Sequence, residues 1–244
     1  MRKIISILII LIFIFFGLSI IILSTIGIET DKFNNLISKK INQTNNNINL
    51  QFTTIKFKFD IKERSLFLET NNSTLDYRNI AIPTINVKVY IDFLSLIKTE
   101  PKVKKINLSL DKFNIEQLKK ISVTFKPSNF TSFINNKINQ GEVNTKIEIY
   151  MDNNNLLDNF IVRGSVSNLS AEIIKNITLK KTKFNFFADK FDIILKNISG
   201  EAGPFKIIDG DLKVQLTDEI LLETNFKTNI KYTNKFSNYK NLIK

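Results

Sequence analysis

From Ile48 onward, apolar and polar residues in this chain repeatedly alternate with a period of two. Ile55, Phe57, Phe59 and Ile61 alternate with Lys56, Lys58, Asp60 and Lys62, so one face of a strand is apolar and the other charged. The same pattern recurs in Ile85, Val87, Val89 and Ile91, in Ile106, Leu108 and Leu110, and in Ile147, Ile149 and Met151. It continues with Leu212, Val214 and Leu216 and ends with Phe226, Thr228, Ile230 and Tyr232. Clean alternation of this kind belongs to antiparallel sheets wetted on one side, whereas parallel sheets buried on both faces read as continuous apolar runs. Turn residues separate the runs at Lys62-Glu63-Arg64-Ser65, at Asn71-Asn72-Ser73, from Asp152 to Asn155 and from Gly200 to Pro204. Asp209-Gly210 is read as a further hairpin signal. The expected fold is mainly β, a long antiparallel meander of about a dozen strands.

The amino terminus obeys a different rule. Arg2 and Lys3 precede an almost unbroken apolar run over residues 4–28. As a helix this run is about 37 Å long, enough to cross a ~30 Å hydrocarbon core with some tilt. It has no small-residue cleavage pattern, so an uncleaved single-pass anchor is expected. The two leading cations, with Glu29 and Asp31 beyond the run, put the amino terminus in the cytoplasm. The body then lies outside it, which in a bacterium is the periplasmic side of the inner membrane. After the run, Phe33, Leu36, Ile37 and Ile41 form one helical stripe, expected to cap the open end of the following sheet rather than to lie on the outer leaflet. Two more interruptions read as helical: a short apolar turn over residues 93–97, and Phe130, Phe133, Ile134 and Ile138 between Pro127 and Gly141. The expected division is an anchor over residues 1–28, an amino-terminal β portion over 29–125 and a carboxy-terminal meander over 126–244.

Composition narrows the chemistry. The chain has no His, no Cys and no Trp, which removes thiolate nucleophiles, disulfides, zinc–thiolate sites and the commonest proton shuttle. Glu63, Glu69, Asp76, Asp92, Asp111, Glu116, Asp209 and Asp211 supply carboxylates, but acids in turns are ordinarily solvated or bonded to local amides. No nucleophile–base pair, phosphate loop or metal spacing accompanies them. Asp209-Gly210-Asp211 lacks the remaining positions of a calcium loop. The reading is a non-enzyme with no cofactor and no metal. The net charge of +12 is scattered through the strand-like segments and is read as a solvated face. Lys56-Phe57-Lys58-Phe59 interleaves bases with aromatics, but alternation sends them to opposite faces, so no nucleic-acid partner is expected.

An apolar sheet face must be covered by a second sheet, by a helix or by hydrocarbon. The 21 Phe residues suit either a dry core or a lining for acyl chains. The order of elements resembles the AsmA-like family of inner-membrane-anchored periplasmic proteins. The residues that carry the likeness are the apolar run over 4–28, the helical stripe over 31–41 and the first strands over 48–68. They are joined by the segment Ile85-Asn86-Val87-Lys88-Val89-Tyr90-Ile91-Asp92-Phe93-Leu94-Ser95-Leu96, the basic break Lys102 to Lys105, and the strands at Ile106 to Leu110 and Phe113-Asn114-Ile115. Gly164-Ser165-Val166-Ser167-Asn168-Leu169 is similar to a G-x-V-x-x-L element of larger groove proteins.

The resemblance implies a sheet curled into an apolar groove. That groove would bind or move phospholipid, or another acyl-chain lipid, for outer-membrane lipid homeostasis or assembly. Its lining would comprise Ile55, Phe57, Phe59, Ile61, Val87, Val89, Ile91, Ile106, Leu108, Leu110, Ile147, Ile149, Leu212, Val214, Leu216 and Phe226. A dozen strands at ~4.8 Å give a groove of about 55 Å, short for a bridge between two membranes. A lipid conduit of that length implies an envelope protein partner, a stacked homo-oligomer, or a local chaperone at the inner membrane. Two alternatives stay open: a lipopolysaccharide-transport component of the single-anchor jelly-roll kind, and a structural envelope adaptor whose body is a closed sandwich with a protein-binding edge.

Overall fold

A computed structural model describes residues 2–30, 48–51, 54–71, 73–92, 102–152, 154, 156–174, 177–216 and 220–230. The stripe over 31–41, the apolar turn over 93–97 and Tyr232 lie outside them. The protein is mainly β: an antiparallel meander with an amino-terminal apolar helix and short helices. In chain order, α1 (Arg2–Thr25) is followed by β1 (Ile28–Thr30), β2 (Ile48–Gln51), β3 (Ile55–Asp60), β4 (Ser65–Asn71), β5 (Thr74–Tyr77), β6 (Ile80–Ile82), β7 (Thr84–Ile91), β8 (Val103–Leu110) and β9 (Phe113–Asn114). Two short helices come next, α2 (Ile115–Ser122) and α3 (Asn129–Lys137). Six long strands complete the order: β10 (Ile138–Met151), β11 (Leu157–Ile174), β12 (Ile177–Ala188), β13 (Asp192–Ala202), β14 (Phe205–Leu216) and β15 (Ile220–Ile230). These elements form two compact units. The first comprises Met1–Asp76, Thr84–Leu108 and Ile149–Asp158; the second comprises Tyr77–Pro83, Ser109–Glu148 and Asn159–Lys244.

In the first unit, α1 is long and apolar enough to cross a membrane over Ile4–Thr25. Three of its hydroxyls bond back to the helix itself. Ser19 Oγ donates to the Phe15 carbonyl at 2.8 Å, and Ser24 Oγ and Thr25 Oγ1 donate to the Ile21 carbonyl at 3.1 and 2.7 Å. Such back-bonding lets polar residues sit where no water is available. The helix stops at Gly27, whose φ of 75° is the left-handed conformation of a helix C-cap; the amides of Ile26 and Gly27 both donate to the Ile22 carbonyl. The next residue, Ile28, already pairs with Phe57 of β3, so two residues separate helix from sheet.

The hydrogen-bonded path in this unit then runs β1–β3–β4–β7–β8, and β2 pairs with β5 off it. Asp60 closes the β3–β4 turn: its Oδ1 accepts from the amides of Lys62 and Glu63 at 3.0 and 3.1 Å, and Arg64 takes a φ of 48°. Ile61 lies in this turn, 63% exposed, rather than in the strand; the alternation ends where Asp60 captures the backbone.

The second unit is dominated by the antiparallel path β10–β11–β12–β13–β14–β15, with β9 also on β10. Asp189 closes the β12–β13 turn, its Oδ1 accepting from the amides of Phe191 and Asp192 at 2.8 Å each. The tight turn after β13 is Gly203-Pro204, and Gly200 belongs to the strand. Asp209-Gly210, read above as a hairpin, lies inside β14. The glycine is needed there because the ring of Phe226, directly opposite on β15, lies over it; a Cβ would come within 2.2 Å of Phe226 Cδ1.

The strands of this unit are not regular. Register shifts of one residue, the pattern of a β-bulge, fall between Val166 and Leu169 on β11, between Lys180 and Lys183 on β12 and between Ile207 and Asp209 on β14. Asn168, Lys181 and Asn197, on three neighbouring strands, all have positive φ. Helices α2 and α3 each begin with a reciprocal capping box, Asn114 with Gln117 and Ser128 with Thr131. The expected helix from Phe130 is α3, except that Ile138 opens β10. Helix α2 begins where the sequence reading continued a strand through Ile115.

Candidate functional site

Directly opposed residues of an antiparallel pair share a face, so register shows which side chains stand together. In the first unit Phe57 opposes Leu68, Phe59 opposes Leu66, Leu68 opposes Val89, and Leu66 opposes Ile91. Ile28 extends this face through Phe57. Ile55, Leu68 and Ile91 form a buried cluster with Phe57 and Val89 packed against it. Ile55 and Val87 are each only 2% exposed.

The other face of the same strands is organised around Glu69, 7% exposed. Its carboxylate receives Lys58 Nζ at 2.6 Å, Lys88 Nζ at 3.5 Å and the Asn86 amide at 2.7 Å. Burial alone would raise the Glu69 pKa, but the Lys58 and Asn86 hydrogen bonds and the Lys88 charge outweigh it and hold the carboxyl below the ordinary range. Beside it Phe67 and Tyr90 stack at 5.2 Å, Lys88 lies over the Phe67 ring, and Lys105 lies 4.5 Å from the centre of Tyr90 while its Nζ bonds Glu63 at 2.7 Å. Tyr90 donates its hydroxyl to Asp60 at 3.1 Å. Lys58 and Lys88 thus belong to a packed ionic and aromatic layer rather than to a plain solvated surface.

In the second unit, register aligns two apolar rows across β11 to β15. One is Val162, Ala188, Ile193, Val214 and Leu222; the other is Gly164, Phe186, Leu195, Leu212 and Thr224. No member of either row is buried. Leu216 and Ile220 oppose each other at the end of the same face, 41% and 72% exposed, and Phe226 is 43% exposed over Gly210. Gly164 plays the same part for Phe186, since a Cβ there would meet the Phe186 ring at 2.7 Å and the Asn144 carbonyl at 2.1 Å. Past the bulges the face continues through Leu169 and Ala171, where Ile115, Leu118, Ile134 and Ile138 pack upon it. Helices α2 and α3 therefore close one end of this apolar face.

Its reverse is mixed: Phe187 and Ile194 stand between Arg163 and Lys213 in one row, and the remaining places are mostly polar or charged. The polar and charged members include Arg163, Asn185, Lys196, Asp211 and Lys213, with Arg163 bonded to Glu148 at 3.0 Å and Lys213 to Asp192 at 3.9 Å.

The sixteen lining residues expected from the sequence are thus distributed unevenly. Ile55, Phe57, Phe59, Val87, Val89 and Ile91 share one face of the first unit, and Ile61 stands in a turn beside it. Ile106 and Leu108 are half-buried on β8 and Leu110 is buried at its end; Ile147 and Ile149 are half-buried on β10. Leu212, Val214, Leu216 and Phe226 share the apolar face of the second unit. Sequence reasoning missed Leu66 and Leu68, hidden in the run Leu66-Phe67-Leu68, and also missed Val162, Phe184, Phe186, Ile193 and Leu195.

Beyond Glu63 and Glu69, four of the candidate carboxylates have polar partners. Asp111 accepts from the Lys112 amide at 2.7 Å, Asp211 accepts from the Asn197 amide at 3.1 Å, Asp92 pairs with Lys104 at 3.3 Å, and Glu116 lies 3.8 Å from Lys119. Among the described residues no three His, Cys, Asp or Glu side chains gather to hold a metal ion. Compared with protein-family models, with curated proteins and with solved structures, the chain matches none.

Proposed function

We propose that this is a non-enzymatic, membrane-anchored lipid-handling protein of AsmA-like character. It sits in a bacterial inner membrane with its amino terminus in the cytoplasm and its body in the periplasm. There it binds or moves phospholipid for outer-membrane lipid homeostasis or assembly. The observation that carries this reading is the pair of apolar rows on β11 to β15, which continue across five strands without one buried member. Five strands at ~4.8 Å spacing make rows of roughly 20 Å, longer than one leaflet's share of a ~30 Å hydrocarbon core. An acyl chain laid along them is stabilised by ~0.8 kcal/mol per buried methylene, and no polar group on the rows beyond Thr224 pins it in one register. Bulges bend strands and increase their twist, so Asn168, Lys181 and Asn197 are the positions at which such a sheet would curl around its cargo.

The first unit supports the adaptor reading for its own part. A face on which Ile55 and Val87 are 2% exposed is core, and the lipid is assigned to the second unit alone. A photo-crosslinking side chain placed in the full-length protein at Phe186, Leu195 or Val214 is expected to capture phospholipid in cells, and at Lys196 or Lys213 to capture none. Equal capture at both sets, or none at either, rejects the proposal. A reporter fused after Lys244 that is active in the cytoplasm rejects the orientation.

A further inference from the structure

The turn between α2 and α3 exposes a group of large apolar side chains that the groove does not use. Val123 is 66% exposed, Phe125 54%, Phe130 70% and Phe133 36%, while Ile134 one residue on is 4% exposed against the sheet. This is not a loose loop. Thr124 Oγ1 donates to the Ile121 carbonyl at 2.7 Å, Ser122 Oγ donates to the Lys119 carbonyl at 2.8 Å, and Asn135 reaches Ser122 Oγ at 3.0 Å. The Arg78 guanidinium donates to the Thr124 carbonyl, and the Tyr77 ring stacks on Phe125 at 5.9 Å. Arg78 and Asn79 both take positive φ, as a two-residue type I′ turn requires, which projects this cation beside the tip. The aromatics are thus held outward by a hydrogen-bonded frame.

Charge sorts the possible occupants. Residues 117–141 carry Lys119, Lys120, Lys126 and Lys137 and no Asp or Glu. Lys119 and Lys137 lie near Glu116 and Glu172, which leaves Lys120 and Lys126 on the segment that carries the exposed rings, with Arg78 bonded to its turn. Exposed aromatics on a segment whose charges are all cationic suit a surface that offers acyl chains beneath negative headgroups. We infer that the α2–α3 tip docks on an anionic phospholipid bilayer, Phe125 and Phe130 entering the interface while Arg78, Lys120 and Lys126 meet phosphates. If α1 spans a bilayer, one is within the same chain's reach, and this docking stands whether or not lipid occupies the rows on β11 to β15.

The chain contains no Trp, so one introduced indole reports alone. The test uses Phe130→Trp in the full-length protein, reconstituted into vesicles of phosphatidylglycerol and phosphatidylcholine with brominated acyl chains. Phe191→Trp, in an exposed turn at 62%, is the control in the same vesicles. The expected result is blue-shifted emission quenched several-fold more strongly for Phe130→Trp than for Phe191→Trp. It should fall to the control level in pure phosphatidylcholine and after Lys120→Glu with Lys126→Glu. Phe125→Trp should behave like Phe130→Trp, which guards against one badly folded variant. Quenching no greater than the control overturns the inference. So does quenching indifferent to headgroup charge, or a blue shift without bromine quenching, which marks a protein surface instead.

Discussion

The apolar faces of the two units arise from one pattern and meet different fates. In the first, Ile55 and Val87 are closed off at 2% exposure, and the reverse face holds a second packed layer of Phe67, Tyr90, Glu69 and Lys105. In the second, the rows from Val162 to Leu222 and from Gly164 to Thr224 contain nothing buried, and helices cover only the end at Leu169 and Ala171. Alternation decides which side chains stand together. It does not decide what covers them, because that depends on segments elsewhere in the chain or on another molecule.

The sharpest way to break this comparison is a buried charge. Val87→Asp is expected to cost several kcal/mol and to abolish the cooperative melt of the first unit, since an unpaired carboxylate in dry core has no partner. Val214→Asp on the half-exposed face should cost about 1 kcal/mol or less, because a surface substitution leaves the carboxylate in reach of water. Urea unfolding of both variants checks the contrast; equal losses would mean that the second face is core as well.

Glycines come next. Gly164→Ala should destabilise the second unit by ~1–3 kcal/mol, since its Cβ meets the fixed Asn144 carbonyl as well as the Phe186 ring. Gly210→Ala should cost less, because the atoms in its way belong to the 43% exposed Phe226 ring, which can swing aside. Thermal melts of the pair rank them.

A titration isolates the first unit. Glu69 is held below its ordinary pKa in the folded state, so its contribution is complete above the unfolded value of about 4.3 and is lost as pH falls through the folded value. Stability should drop in that acid window, and Glu69→Gln should flatten the drop; an unchanged pH profile would show that the carboxylate adds nothing.

The smallest effect belongs to the covered end of the second face. Asn114→Ala removes the α2 cap and should cost about 1 kcal/mol. Hydrogen exchange should quicken at residues 115–122 while the amides of β13 and β14 keep their protection.

Much of the fold was legible because the informative strands have one polar and one apolar face. Ile55 to Phe59 and Leu212 to Leu216 alternate without interruption, and register places their apolar members together. Legibility failed where a strand is apolar on both sides or changes phase. Phe67 stacks on Tyr90 behind the sheet, so Leu66-Phe67-Leu68 shows no period. Phe186-Phe187 and Ile193-Ile194-Leu195 likewise place apolar side chains on both faces, and bulges near Asn168, Lys181 and Asn197 shift the count by one residue. The Asp209-Gly210 pair misled for a related reason: glycine serves a turn and a crowded strand equally well, and only the phenylalanine across the sheet tells them apart. The capping box from Asn114 to Gln117 is a readable sign of α2, and the family resemblance, which continues the strand to Ile115, passes over it.

The junction after α1 has a mechanical meaning. A membrane span joined to its body by a long tether leaves that body free to turn, but here Ile26 and Gly27 are the whole connection, and Ile28 is already clamped to Phe57. Spans tilt by about 20° on average and adjust to local bilayer thickness, so if α1 crosses a bilayer, each such adjustment would become a rotation of the first strands. For an α1 set in a bilayer, the lipid would steer the sheet like a hand on a tiller, with Gly27 as the pivot. A Cβ at that pivot would strike Lys58 Cγ at 2.6 Å, so the bearing between helix and sheet is set by a residue with no side chain at all.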